Sequence, residues 1–110
     1  MFHTFKNIEE FENFVQGNDA VLAYFSTTEC NVCKVLKPKV MEMFESEFPL
    51  FKLCYVETNL LPEVAAQNRI FSVPTIIVYF EGREFVRKSR SFGVGELQAE
   101  VARPYSLMFS

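Results

Sequence analysis

The residues able to do chemistry are concentrated in Glu29-Cys30-Asn31-Val32-Cys33-Lys34, a C-x-x-C set between an apolar run and a helical one. Three residues of separation bring Cys33 round to the face of Cys30, close enough to close a small disulfide ring or to attack one formed there. The first cysteine falls where a strand hands over to a helix, near unpaired backbone N–H groups and the positive end of the helix dipole, and both favour a thiolate. Cys30 is therefore the expected nucleophile. Cys33, one turn into the helix and more enclosed, is the thiol expected to resolve a mixed disulfide.

These thiols need a scaffold, and the chain supplies alternating strand and helix signals. Ala20–Phe25 is short and apolar, which suits a buried strand. Val35–Phe48 puts Leu36, Val40, Met43, Phe44 and Phe48 near one stripe, with Lys37, Lys39, Glu42 and Glu45 mostly elsewhere, so it reads as an amphipathic helix. Before them, Phe2–Phe5 reads as a short edge strand. Asn7 is a helix cap for Ile8–Gln16, whose Ile8, Phe11, Phe14 and Val15 face the sheet, and Gly17-Asn18-Asp19 ends that helix. After Pro49, Leu50–Val56 is expected as another strand, parallel to Ala20–Phe25 through a right-handed crossover. Pro62 starts a short helix through Gln67, where its missing N–H is harmless. Ser72-Val73-Pro74-Thr75 opens the strand Thr75–Phe80, and Glu81-Gly82-Arg83 turns it into the antiparallel partner Glu84–Lys88. Gly93–Val101 is the last predicted helix, stopped by Pro104. Tyr105–Ser110 is an unusually apolar tail that would cover the sheet edge or mediate weak self-association of an otherwise monomeric chain.

Composition bounds the function classes. The 110 residues are 49% hydrophobic, enough for one domain, residues 1–110, with a real core. Thirteen Phe and four Tyr without Trp make that core aromatic. A net charge of −3 leaves no basic footprint for nucleic acid. No run approaches a membrane span, and the first ten residues lack the pattern of a secretory leader, so a cytoplasmic location is expected. Three cysteines cannot form a fully paired framework. In a reducing compartment a C-x-x-C means redox chemistry or metal. Zinc would need two more ligands, for which Cys54 and His3 or a carboxylate are the candidates, and no second cysteine pair exists.

The C-x-x-C, Lys34 after it, Pro38 within the long helix, Pro74 opening a strand and Gly82 in the next turn together resemble the thioredoxin family. The resemblance covers roughly Ile8 to Ala102. It implies an α/β thioredoxin fold, a central mixed sheet with helices on both faces, and a cis bond before Pro74. It also implies that the backbone of Val73 pairs with an extended client, that Pro74 lies against the cysteines, and that Asn31 and Val32 contact the client. No cofactor would be bound, and electrons would come from an NADPH-dependent reductase. Departures are equally specific. Thioredoxins proper carry Gly-Pro where this chain has Asn31-Val32, and Trp where it has Glu29. The family's buried aspartate, six positions before the first cysteine, is Tyr24 here, and its lysine partner aligns with Leu53, so the pair looks replaced as a unit.

Three functions remain open: a protein-disulfide reductase, a redox-silent adaptor that holds a partner in the Val73–Pro74 groove, and a glutathione-linked enzyme of glutaredoxin type. Cys54, mid-strand among apolar neighbours, is expected to be a buried inert thiol, and His3 a solvated side chain. Tyr24 is expected to be core packing rather than a proton donor. Lys34, Lys37 and Lys39 read as a solvated helix face, with client docking as the alternative.

Overall fold

The computed structural model describes residues 2–27, 31–89 and 92–109, and only the backbone of residues 31–33. The elements run α1 (Ile8–Gly17), β1 (Ala20–Ser26), α2 (Asn31–Glu47), β2 (Lys52–Glu57), α3 (Pro62–Gln67), β3 (Thr75–Phe80), β4 (Arg83–Ser89) and α4 (Val94–Phe109). The strands form one sheet in the order β2-β1-β3-β4, with β1 parallel to β2 and antiparallel to β3, and β3 antiparallel to β4. No helix among the described residues is long and apolar enough to cross a membrane.

The period of two along each strand splits the core into two layers. On one face Leu22, Tyr24, Leu53, Ile76 and Val78 meet Val40, Phe44 and Phe48 from α2 and its end, and Leu97 and Val101 from α4. On the other, Val21, Ala23, Phe25, Cys54, Val56, Ile77 and Tyr79 meet Phe11 and Val15 of α1 and Val64 of α3. Helices therefore cover both faces, and every residue of β1 is buried. Strands enclosed on two sides lose the polar alternation of a half-exposed sheet, which is why β1 and β3 read as nearly unbroken apolar runs. As the sequence predicts, the Asn7 side chain caps α1 by accepting from the Glu10 N–H at 2.9 Å.

Most boundaries fall within a residue or so of the sequence expectation, but three places differ in kind. Strand β2 starts at Lys52 rather than Leu50. Leu50 is 56% exposed, and the Phe51 N–H bonds back to the Phe48 carbonyl, so the turn after Pro49 lasts two residues longer. The edge strand expected at Phe2–Phe5 shrinks to one bridge, in which the His3 N–H donates to Leu53 and the His3 carbonyl accepts from Tyr55. Pro104 does not stop the last helix, since α4 continues through it to Phe109. An interior proline costs about 3 kcal/mol. Tyr105 offsets it by packing on Phe48 and Phe51 with ring centroids 4.9 and 5.8 Å away, and Phe109 lies 4.9 Å from Tyr105. Two large rings half withdrawn from water are worth about that much. The Tyr105 hydroxyl also accepts from the Leu50 N–H at 3.1 Å, which ties the tail to the turn before β2.

The β3–β4 hairpin closes through Glu81 and Gly82, both in the left-handed region with φ of 53° and 79°. Two positive φ values in a two-residue loop match the right-handed twist of the strands. A Cβ on Gly82 would come within 2.7 Å of Gln16 Oε1, whose amide otherwise donates to the Gly82 carbonyl. Gly82→Ala should therefore lower the unfolding free energy by about 1–2 kcal/mol, chiefly through backbone strain. Urea melts of the two proteins should show a shifted midpoint with an unchanged slope.

Candidate functional site

The site follows from the sheet register. In the antiparallel pair Phe25 faces Thr75, so the C-terminal end of β1 and the start of β3 lie at the same edge of the sheet. The exit of β1 at Ser26 and the loop that carries Pro74 into β3 are thereby brought to one end of the sheet. On the other side Ser26 pairs with Glu57 at the end of β2, and the Ser26 carbonyl accepts from the Thr58 N–H and hydroxyl at 2.9 and 3.3 Å. Cys30 and Glu29 lie outside the described residues, as do the side chains of Asn31, Val32 and Cys33. The backbone puts position 33 in the first turn of α2.

The Val73–Pro74 bond is cis, as expected from the sequence, with Pro74 buried and Val73 half-buried. Below it the buried Thr75 hydroxyl donates to the Ser72 carbonyl at 2.6 Å and meets the Ser89 hydroxyl at 3.2 Å. The loop leading to Val73 is held from β4. Arg87 donates to the Asn68 and Arg69 carbonyls at 2.8 and 3.1 Å, and its guanidinium grips both Glu84 carboxylate oxygens at 2.9 and 3.0 Å. The Tyr79 hydroxyl reaches the Asn68 side-chain oxygen at 3.1 Å. These bonds stabilise Arg69 in a left-handed conformation, with φ of 56°, where a non-glycine residue is strained. Hydrogen bonding to Arg87 keeps the Glu84 carboxyl below the usual carboxylate range. Sequence analysis missed this clamp, because a partner carried on a neighbouring strand has no local signal. Phe71, also in this loop, is 91% exposed.

Under the first turns of α2 lies an aromatic group with one cation. Tyr24 stacks on Tyr55, its direct cross-strand neighbour, at 6.2 Å and 22°. Phe2 closes on both rings, 6.0 Å from Tyr24 and 6.5 Å from Tyr55. The Tyr55 hydroxyl donates to a Glu57 carboxylate oxygen at 2.8 Å. The ammonium of Lys37 sits 3.9 Å from the Tyr55 ring centroid and 5.2 Å from that of Phe2. Lys37 is thus half-buried rather than solvated, with its ammonium over two rings. Lys34 and Lys39 are exposed, as expected. Burial pushes the Tyr24 hydroxyl well above the usual phenol range, with nearby Tyr55 adding to the rise. Burial first, then the Glu57 carboxylate, pushes Tyr55 up to about 12. Both phenols stay protonated at neutral pH, which favours Tyr24 as packing. Leu53 shares this sheet face, one pair removed, so the two positions that carry the family's buried ions meet here as apolar and aromatic bulk.

Two further sequence expectations concern thiol and imidazole. Cys54 is fully buried, and burial alone drives its thiol far above the ordinary range, consistent with an inert core residue. His3 is exposed but not merely solvated, since its ring stacks on Phe14 at 4.8 Å and 17°.

The topology and the cis proline at the start of β3 define a protein of thioredoxin fold. The Thioredoxin family model matches residues 3–103, and the chain belongs to the thioredoxin family. It is 29% identical to the thioredoxin-like protein YdfQ of Bacillus subtilis over 96 residues, spanning 87% of this chain and 85% of that protein. It is 26% identical to thioredoxin-1 of Saccharomyces cerevisiae over 87 residues, 79% and 84% of the two chains. Among solved structures, thioredoxin from Trypanosoma brucei brucei superposes with a TM-score of 0.81 at 23% identity, covering 96% of this chain and 92% of that one. Family and fold together support thiol–disulfide oxidoreductase chemistry at the general level.

Arg87→Met removes the two carbonyl contacts and should destabilise the protein by about 1–2 kcal/mol. Amide hydrogen exchange should quicken at residues 68–73 far more than in β1. For Cys54, alkylation at pH 8 should proceed only as fast as global unfolding, whereas mixing with denaturant should expose the thiol at once.

Proposed function

We propose that this protein is a thiol–disulfide oxidoreductase that reduces disulfides in client proteins through a Cys30–Cys33 dithiol. The observation that carries the proposal is the cis Val73–Pro74 bond at the sheet edge where β1 delivers the C-x-x-C segment to α2. The backbone of Val73, where the loop enters β3, would let an extended client pair in strand fashion while its disulfide reaches Cys30. Asn31 and Val32, between the two cysteines, would line the same contact.

In the first step the Cys30 thiolate attacks a client sulfur. A protein–client S–S bond forms as the client's own S–S bond breaks, and the departing client sulfur takes up a proton. Cys33 then loses its proton and displaces the second client sulfur, which is protonated in turn. Two electrons have passed to the client, and Cys30–Cys33 is left as a disulfide. The cycle closes only with an external reductant, here an NADPH-dependent reductase of thioredoxin type, without a cofactor bound to this chain. The work is assigned to the cytoplasm, where such a couple is kept reduced, and to a monomer whose apolar tail is engaged with its own core.

The test uses a Cys54→Ser background. Insulin reduction driven by dithiothreitol should be accelerated by the unchanged dithiol and fall to the uncatalysed rate in Cys30→Ser. Cys33→Ser should accumulate a covalent client adduct that reductant releases. No acceleration and no adduct would leave the adaptor function in its place. Rapid turnover of glutathione disulfide with inert insulin would favour the glutaredoxin type.

A further inference from the structure

The loop that leads from α3 into β3 presents an aromatic ring and an unengaged cation to one cleft. Phe71 is 91% exposed, further out in solvent than the other large apolar side chains described. With Arg69, Ser72, Glu84, Arg87 and Ser89 it lines a cleft of about 720 Å³ between this loop and β4. Arg87 and Glu84 balance each other's charge there, and the Arg87 fork is spent on Glu84 and on two loop carbonyls. The Arg69 guanidinium is exposed and makes no hydrogen bond or ion pair among the described residues. The cleft therefore keeps a net positive charge on a chain whose own net charge is −3. Arg69 also holds φ of 56°, which glycine adopts without cost and arginine does not. Strained residues of this kind cluster at ligand clamps. The loop itself is fixed, since the Ile70 N–H donates to the Ala65 carbonyl at 2.9 Å and the Thr75 hydroxyl to the Ser72 carbonyl at 2.6 Å.

We infer that this cleft is a specificity site for client proteins, in which Arg69 receives a client carboxylate and Phe71 packs against a large apolar client side chain. The inference rests on the dithiol function and the Val73 pairing proposed above, and it names the class of client: an extended segment that is acidic and apolar beside its cysteine. Ser72 lines the cleft and is the neighbour of Val73, so a client strand paired at Val73 continues over it. A small anion would engage the guanidinium and leave the ring uncovered, whereas a peptide covers both. An exposed ring on a fixed backbone is a ready anchor, because little freedom is lost when it is covered.

The test uses short synthetic peptides whose single cysteine carries a thionitrobenzoate disulfide, flanked on both sides by Glu and Leu, by Lys and Leu, or by Glu and Ala. Thionitrobenzoate release by the reduced Cys54→Ser protein gives a rate constant for each, divided by that with dithiothreitol to remove the peptides' own reactivity. Arg69→Gly should lower the rate ratio of the Glu-Leu to the Lys-Leu peptide about threefold, the scale of an exposed ion pair. Glycine accepts the same φ, so this variant should stay as stable as its parent. Arg83→Gln removes an equal charge outside the cleft and should leave the ratio where it was. Phe71→Ala should slow the Glu-Leu peptide about fivefold and the Glu-Ala peptide by less than about twofold, as for loss of an anchor side chain. The proposal is overturned if the ratio survives Arg69→Gly, if Arg83→Gln lowers it equally, or if Phe71→Ala slows the Leu and Ala peptides alike. It is also overturned if the free protein is a dimer that Phe71→Ala converts to a monomer, which would assign the ring to a second copy. Failure of the underlying dithiol function looks different: no peptide would then release thionitrobenzoate faster than in buffer. In that event binding alone decides. The Glu-Leu peptide with serine in place of cysteine should shift the amide NMR signals of residues 69–72 and 84–87, and the absence of such shifts would overturn the proposal.

Discussion

The site depends on one strand having a parallel neighbour on one side and an antiparallel neighbour on the other. β1 is buried along its whole length and pairs with β2 in the same direction and β3 in the opposite one. The parallel pairing requires a long connection, and α2 supplies it, so the polypeptide must leave β1 at the edge where a helix starts. The antiparallel pairing brings the beginning of β3, and with it Pro74, to that same edge. Pro74 does not choose its place; the strand directions choose it. The register is protected because a slip of one residue would send Leu22 and Tyr24 to the α1 face and Val21 and Phe25 to the α2 face, in conflict with both core layers.

Around that edge the chain builds rigidity from the two flanking strands. β4 reaches over to the Asn68–Arg69 loop through Arg87, and β2 reaches towards α2 through the Tyr55 ring and Lys37. The first device holds the loop that leads to Val73, while the second ties the α2 side chain of Lys37 to a ring on β2. Both use a half-buried cation, but in different ways. Arg87 spends its planar fork on two carbonyls and a carboxylate, a geometry that lysine cannot copy. Lys37 offers a compact charge to ring faces. In place of a buried ion pair on the sheet, this member of the family has an aromatic floor and a charge brought in from above, which avoids isolating an unpaired ion in the core.

Much of this was legible in the sequence, and the exceptions have physical reasons. β3 and α3 fall on Thr75–Phe80 and Pro62–Gln67 as read, because strong local punctuation by Pro74, Gly82 and Pro62 coincides with the apolar pattern. The cis bond was expected from the place of Pro74 before a buried strand, through family resemblance rather than composition. Pro104 misleads because a local rule about proline meets a tertiary gain, the packing of Tyr105 on Phe48 and Phe51. Leu50 misleads because β-like residues continue outside the strand while Pro49 still directs a turn. Lys37 was read from its charge as solvent-facing, although its position four residues after Cys33 and three before Val40 hinted at the sheet side. Tyr55 became visible as the partner of Tyr24 only once the strand register was known. The expected strand-then-helix order agrees with the backbone, where β1 ends at Ser26 and α2 begins at Asn31, and Cys30 lies outside the described residues.

The central claim is that Cys30 and Cys33 form a reversible two-electron couple poised for reduction of other proteins. It is tested most directly by trapping the thiols of the Cys54→Ser protein across a series of dithiothreitol and glutathione buffers of defined potential. The account predicts a single two-electron transition at about −230 mV or below, in the range of cytosolic reductants. A transition at about −180 mV or above would contradict a reducing role and indicate an oxidising or isomerising one. The absence of any intramolecular disulfide across the whole series would contradict redox function altogether.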